Sequence, residues 1–104
     1  MANRILRDGI VTSKSINALS PGAEILYRRL MSVVDDFGRT EAHPQILLGR
    51  CYSLQLDRIC VQDVSNWLAE CEQHVGGRQA LITRYVVNGT EYLQINNFGQ
   101  RERT

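Results

Sequence analysis

Apolar residues return every three or four positions between Ala23 and Phe37. Ala23, Leu26, Leu30, Val33, Val34 and Phe37 share one side of a helix over about Pro21 to Asp36, the pattern that turns a single stripe toward a core. Its start is well signalled: Ser20 as N-cap, Pro21 in the first helical position, and Glu24 one turn before Arg28. Gly38 follows where a left-handed C-cap is expected. Pro44 opens a second, shorter helix through Ile46, Leu47 and Leu48, with His43 as its starting residue and Gly49 limiting its extent. A third helix, Val61 to His74, buries Val64, Leu68, Cys71 and Val75 with Trp67 beside them. It shows Gln62, Asp63, Ser65, Asn66, Glu70 and Gln73 outward, and Gly76-Gly77 ends it. Cys60 and Val61 cap it poorly, but Asp63 stands where the helix dipole favours a carboxylate.

Beyond Gly77 the period changes to two. LITRYVV and TEYLQI flank Asn88-Gly89, a pair suited to a type I′ turn because both central positions need positive φ. A two-residue loop sets Val87 against Thr90, Tyr85 against Tyr92, Arg84 against Leu93 and Ile82 against Ile95. Ile82, Leu93 and Ile95 then share the core face, and Tyr85 and Tyr92 pair on the other. The remaining segments are less patterned. Asn3 to Val11 reads as a short strand or an extended arm, and Thr12 or Ser13 can cap a helical turn carrying Ile16 and Leu19. Arg39-Thr40-Glu41 reads as a polar connection, and Cys51 to Cys60 as a loop or a brief strand around Leu54-x-Leu56. Residues 98–104 form a charged tail with nothing to bury.

Three helices followed by a C-terminal β-hairpin predict an α+β, mainly α fold: a winged helix-turn-helix whose third helix is the usual recognition helix. The alternative is a small α+β domain in which the hairpin extends a larger sheet built with residues near Leu54 and the N-terminal arm. At 104 residues and 43% hydrophobic, the chain is expected to be one domain over 1–104, with residues 1–19 as arm and helical turn.

Charge sharpens the functional picture. The net charge of +1 lacks the overall basic excess that would argue for nucleic acid or membrane, so any such footprint must be local. Only Lys14 among the twelve basic residues is a lysine, and arginine is the side chain better suited to bidentate phosphate or guanine contacts. Cys51, Cys60 and Cys71 are odd in number and form no CxxC pair, which points to a reducing, cytoplasmic setting. MANRILRDG is not a signal peptide, and no apolar run approaches the roughly 20 residues of a membrane span.

The runs INALSPGAEILYRRLMSVVDDFGRTEAHPQIL, CYSLQLDRICVQDVSNWLAECE and ALITRYVVNGTEYLQINNFGQRER resemble the N-terminal winged-helix domains of phage and prophage replisome-organiser and primosomal replication proteins. The resemblance spans nearly the whole chain. It is strongest at Leu26 to Met31, Asp35 to Arg39, Asp63-Val64 with Trp67 to Glu70, and Leu81-Ile82 leading to Tyr85 and Tyr92. It implies a DNA-binding or replisome-assembly module, at the N-terminal part of a longer protein, that meets DNA and replication proteins. None of these residues is catalytic, so the resemblance bears on scaffold more than on activity.

The candidate DNA contacts fall in two groups. Arg78, Arg84, Arg101 and Arg103 on the wing and its flanks could meet phosphates, with Asn88 and Thr90 at the wing tip. The competing reading is a solvated surface, with Arg84 pairing across strands to Glu91. On the third helix, Gln62, Ser65, Asn66 and Gln73 are types that hydrogen-bond base edges. That helix also carries Asp63, Glu70 and Glu72 and no basic residue before His74, a balance of −3 that opposes insertion into a groove. A protein-interaction reading therefore stands beside the DNA reading, using the acidic helix or the Tyr85/Tyr92 face for self-association or partner recruitment. A winged-helix transcriptional regulator is a third.

No catalytic role is expected. Cys71-x-x-His74 with Cys51 and Cys60 matches no zinc-finger spacing, and Cys71 lies on the apolar stripe, so buried free cysteine is the expected state and no metal or other cofactor is implied. Asp35-Asp36 reads as a helix terminus, since adjacent helix residues point in different directions.

Overall fold

The computed structural model describes residues 14–73 and 80–96. Seven elements follow in order: α1 (Lys14–Asn17), α2 (Pro21–Val33), β1 (Arg39–Glu41), α3 (Pro44–Cys51), α4 (Val61–Glu72), β2 (Ile82–Val87) and β3 (Thr90–Ile95). The strands form one antiparallel sheet in the order β1-β3-β2. Three helices after a single helical turn, with one small sheet, make a mainly helical α+β domain. Expectations for the N-terminal arm, Val75, Gly76-Gly77 and the charged tail lie outside the described residues.

Ser20 caps α2 as expected, its Oγ accepting the Ala23 N–H at 3.3 Å with Pro21 in the first turn. The helix stops at Val33, three residues short of expectation, and Val34 is already extended. The cause is Asp35, whose Oδ1 accepts the N–H groups of Phe37 (2.8 Å) and Arg39 (3.0 Å). Such a carboxylate offers the backbone a turn in place of another helical turn. Gly38 does take positive φ, at 78°, but within this turn and not at the helix end. Phe37, expected on the buried stripe, is carried off it and is 67% exposed.

Arg39-Thr40-Glu41 is not a mere connection. It is β1, pairing Arg39 with Gln94, Thr40 with Leu93 and Glu41 with Tyr92. A three-residue strand shows too little alternation to read; here only Thr40 turns inward, and among the described residues it is the buried polar one. Pairing with β3, more than fifty positions away, creates the strand. His43 Nδ1 accepts the Gln45 N–H at 3.2 Å, which makes it the N-cap of α3. That helix continues past Gly49 to Cys51, burying Leu47, Leu48 and Cys51 while Ile46 stays exposed. After Cys51 the chain forms consecutive turns closed by Gln55 N–H to Tyr52 O and by the Arg58 and Ile59 N–H groups to Gln55 O. No strand forms around Leu54, which is 91% exposed, so the sheet is not extended from there.

The hairpin has the expected register, Val87 with Thr90 through Ile82 with Ile95, and Asn88 and Gly89 take φ of 51° and 81°. Tyr85 and Tyr92 stack with ring centroids 5.8 Å apart. Ile82, Leu93 and Ile95 close the core against Leu26, Tyr27 and Leu30 of α2, Leu47 of α3, and Val64 and Leu68 of α4.

Two arginines tie the elements together. Arg29 donates to Cys51 O at 2.6 Å and lies over the Tyr52 ring, completing the carbonyl end of α3. Arg50 donates to Val33 O at 2.9 Å and to Thr40 Oγ1 at 2.5 Å, joining the end of α2 to β1. Both are the pairing of a cation with a helix C-terminus.

Cys51 and Cys71 are core residues and Cys60 is exposed; all three are free. Burial pushes the Cys71 thiol up to about 12, with Glu70 and Glu72 adding to the effect, and burial likewise raises Cys51 against the opposing pull of Arg50 and Arg29. Because the thiolate is the reactive species, a thiol reagent is expected to modify one cysteine per folded chain, Cys60. The other two should react only on denaturation. Mass spectrometry of the labelled peptides checks this; rapid labelling of Cys71 in the native state would contradict the packing described.

Candidate functional site

The face that could meet a ligand is built by α4 and the hairpin after it. α4 starts at Cys60, where Asp63 Oδ2 accepts the Cys60 N–H at 3.0 Å and its Sγ–H at 3.3 Å. The Asp63 side chain thereby satisfies one of the backbone donors that a helix start leaves open. Leu81 N–H donates to Cys71 O at 2.8 Å, so the segment entering β2 completes the other end. Strand β2 is therefore anchored directly to the helix that precedes it.

The three carboxylates that oppose a DNA-reading role for this helix all have partners within the domain. Asp63 serves the helix start. Glu70 accepts the Ser20 N–H at 2.9 Å and the Ser20 Oγ–H at 2.8 Å, and Glu72 pairs with Arg84 of β2 at 2.7 Å. Of the −3 formal charge, only Glu72 faces an opposite charge, that of Arg84, while Asp63 and Glu70 keep their charge and accept from uncharged donors.

The most exposed positions of α4 are uncharged. Gln62, Asn66, Ala69 and Gln73 are exposed, at intervals of four, three and four, which align them in one stripe opposite Val64, Leu68 and Cys71. Ser65 beside them is half-buried. Gln62 Nε2 donates to Asn66 Oδ1 at 2.8 Å, so two side chains of this stripe already hold each other in place.

On the hairpin, Asn88 is exposed and Thr90 half-buried at the tip. Arg84, expected as a phosphate contact or a partner of Glu91, instead bonds Glu72. That hydrogen bond, against partial desolvation, holds its guanidinium above the ordinary range. Its evident role is to brace the hairpin against α4. Arg78, Arg101 and Arg103 lie outside the described residues. Gln62, Ser65 and Asn66 thus share α4, Asn88 and Thr90 share the hairpin tip, and Arg84 links the two elements from beneath.

Every arginine among the described residues has an intramolecular partner, but the partners differ in strength. Arg29, Arg50 and Arg84 serve the fold. Arg28 with Glu24, Arg39 with Asp35 and Arg58 with Asp57 are exposed pairs, of a kind that contributes about 0–1 kcal/mol and exchanges readily for another anion. The Arg28 pairing is the helix-surface pair its spacing predicts. Arg58, in the turn immediately before α4, has 70% of its side chain exposed and lies 3.9 Å from Asp57. In the sequence it falls within the loop or brief strand expected from Cys51 to Cys60, and its signal there is an arginine three residues ahead of a helix start.

A second feature lies on the outer face of the sheet. Asp35, Arg39, Thr40, Tyr85, Val87 and Tyr92 line an open groove of about 350 Å³, and the Arg39 guanidinium lies over the exposed Phe37 ring. The backbone N–H of Arg39 holds the Asp35 carboxyl below its ordinary range, so this acid is charged.

No group of three potential metal-ligating His, Cys, Asp or Glu side chains occurs among the described residues, and none of their helices is long and apolar enough to cross a membrane. The chain matches no family model, no curated protein and no solved structure.

Proposed function

We propose that this chain is a winged-helix domain that binds duplex DNA, with α4 as the recognition helix and the β2–β3 hairpin as the wing, in a phage-type replication initiation or primosome protein. The observation that carries the reading is the uncharged, exposed stripe Gln62–Asn66–Ala69–Gln73 on α4, with Asp63, Glu70 and Glu72 set off it and bonded within the domain. The element order supports it: β1 falls between α2 and α3 and completes a β1-β3-β2 sheet, the arrangement of a helix-turn-helix carrying a wing. The replication role rests on the sequence resemblance. Whether the preferred site is a replication origin or a promoter separates it from a transcriptional regulator.

On this reading phosphate contacts come from exposed arginines whose present partners are weak, Arg58 first. Binding of a short duplex, followed by fluorescence anisotropy across a salt series, is expected to weaken steeply with salt. Arg58→Ala is expected to lower the slope of log K against log[salt] by about one unit without changing thermal stability. Absence of binding to any duplex at low salt would overturn the proposal.

A second reading has its own observation, the outer-sheet groove with Tyr85, Tyr92 and Phe37 at the surface. Two half-exposed tyrosines in an open groove, near an exposed phenylalanine and a cation, suit a protein partner or a second copy of the chain. Light scattering shows whether the domain self-associates, and Tyr92→Ser should reverse any association that uses this face.

A further inference from the structure

The exposed stripe of α4 is specific about what it can read. Because Gln62 Nε2 donates to Asn66 Oδ1, each amide keeps its other half for a ligand. Gln62 Oε1 remains an acceptor and Asn66 Nδ2 remains a donor, one helical turn apart and held by their mutual bond. Ala69, the next exposed position, offers only a methyl group.

We infer that the Gln62–Asn66 amide pair reads the adenine of an A·T base pair in the major groove, with Ala69 against a thymine methyl. The inference rests on the DNA-binding reading above and names the sequence class that the same face selects. Adenine shows the N6 amino donor beside the N7 acceptor. The N6 amino group donates to Gln62 Oε1, and Asn66 Nδ2 donates to N7. Guanine shows two acceptors, O6 and N7, so Gln62 Oε1 would meet an acceptor and leave a desolvated oxygen unpaired, which is costly. Ordinarily one Asn or Gln makes both contacts. Here the mutual hydrogen bond divides the donor and the acceptor between two residues, so losing either side chain should cost the discrimination.

Charge fits the same assignment. A stripe of amides with no arginine or lysine lacks the side chains that most often read guanine. Nor is any of its four residues a carboxylate, the side-chain type that accepts from cytosine N4.

The test uses the whole chain with three duplexes of equal length at one salt concentration: A·T-rich, G·C-rich, and the G·C-rich duplex with every guanine replaced by inosine. Inosine–cytosine pairs keep the major-groove edge of G·C but lack the minor-groove amino group. The expected result is binding at least about tenfold tighter to the A·T duplex than to the G·C duplex, with the inosine duplex behaving like G·C. Asn66→Ala and Gln62→Ala should each bring the A·T and G·C affinities together without lowering the melting temperature, since both side chains are exposed. Equal binding of A·T and G·C, an inosine duplex that follows A·T, or a preference that survives Asn66→Ala would each overturn the inference while leaving DNA binding standing. Failure of all three duplexes to bind would remove the DNA reading itself.

Discussion

Gly22→Ala is expected to lower the stability of the domain by roughly 1–2 kcal/mol. By helix propensity alone the change should help, because alanine is favoured over glycine by up to about 1 kcal/mol in a helix. Tertiary packing reverses the sign. A Cβ at Gly22 would fall against Cε2, Cζ2 and Nε1 of Trp67, nearer than real Cβ contacts come. The indole cannot simply rotate away, since it is packed against the core and beside Tyr52 with ring centroids 5.9 Å apart. Forcing an extra methyl into such a contact costs about 1–3 kcal/mol, which outweighs the propensity gain. For a domain of this size the melting temperature should fall by about 4–16 °C. The attribution is tested by a double-mutant cycle with Trp67→Leu. With the indole gone, Gly22→Ala should become neutral or stabilising, a coupling expected only for residues in contact. A higher melting temperature for Gly22→Ala in the wild-type background would contradict the close approach of α2 to α4.

Glu70→Ala is expected to cost a further large amount, about 1–3 kcal/mol, where an ordinary surface acid would cost less than about 0.5 kcal/mol. An N-cap serine is often completed by a glutamate three positions on, whose carboxylate reaches back to the N-cap N–H. In this chain that position is Ala23, which cannot do it. Glu70 does it from another helix, accepting both the Ser20 N–H and the Ser20 Oγ–H. Hydrogen bonds to a charged group contribute about 1.5–3 kcal/mol each when sheltered; partial exposure of this pair places the sum lower. Truncation leaves the Ser20 N–H unpartnered and frees the start of α2 from α4. Denaturant unfolding should report the loss, and amide exchange should locate it in the first turn of α2. Glu70→Gln should be milder, because an amide can still accept one of the two bonds. A Glu70→Ala protein as stable as wild type would show that the junction contributes little.

Gly22, Trp67, Ser20 and Glu70 belong to one contact between α2 and α4, and that contact sets the angle at which α4 is presented. The Glu72–Arg84 pair and the Leu81–Cys71 hydrogen bond do the same for the hairpin. A rigid junction of this kind suits a surface that must match a ligand without rearrangement.

Local signals made much of this legible. The Ser20-Pro21 start, the apolar stripe through Leu26 and Leu30, His43 ahead of Pro44, the stripe Val64–Leu68–Cys71, and the register around Asn88-Gly89 each depend on neighbours within a few residues. Where the reading failed, a competing interaction came from further away or from a side chain acting on the backbone. Asp35 ended α2 early and exposed Phe37. β1 formed because β3 was available to pair with it. The candidate site was half legible: Gln62, Ser65, Asn66, Asn88 and Thr90 do occupy α4 and the hairpin tip. The partners of Arg84 and of the three acids were not legible, because charge counted along the chain does not say which opposite charge or N–H group lies nearby.

By itself the sequence determined the periodicities: which residues face a core, where two of the helices begin, and how the hairpin is registered. These follow from a 3.6-residue or two-residue repeat and from turn chemistry, all short-range. The tertiary structure alone decided that Glu70 caps a distant helix, that Glu72 braces Arg84, and that the most exposed row of a helix with a formal charge of −3 is uncharged. Those outcomes depend on distances of about 3 Å between residues up to fifty positions apart, and no repeat along the chain encodes them.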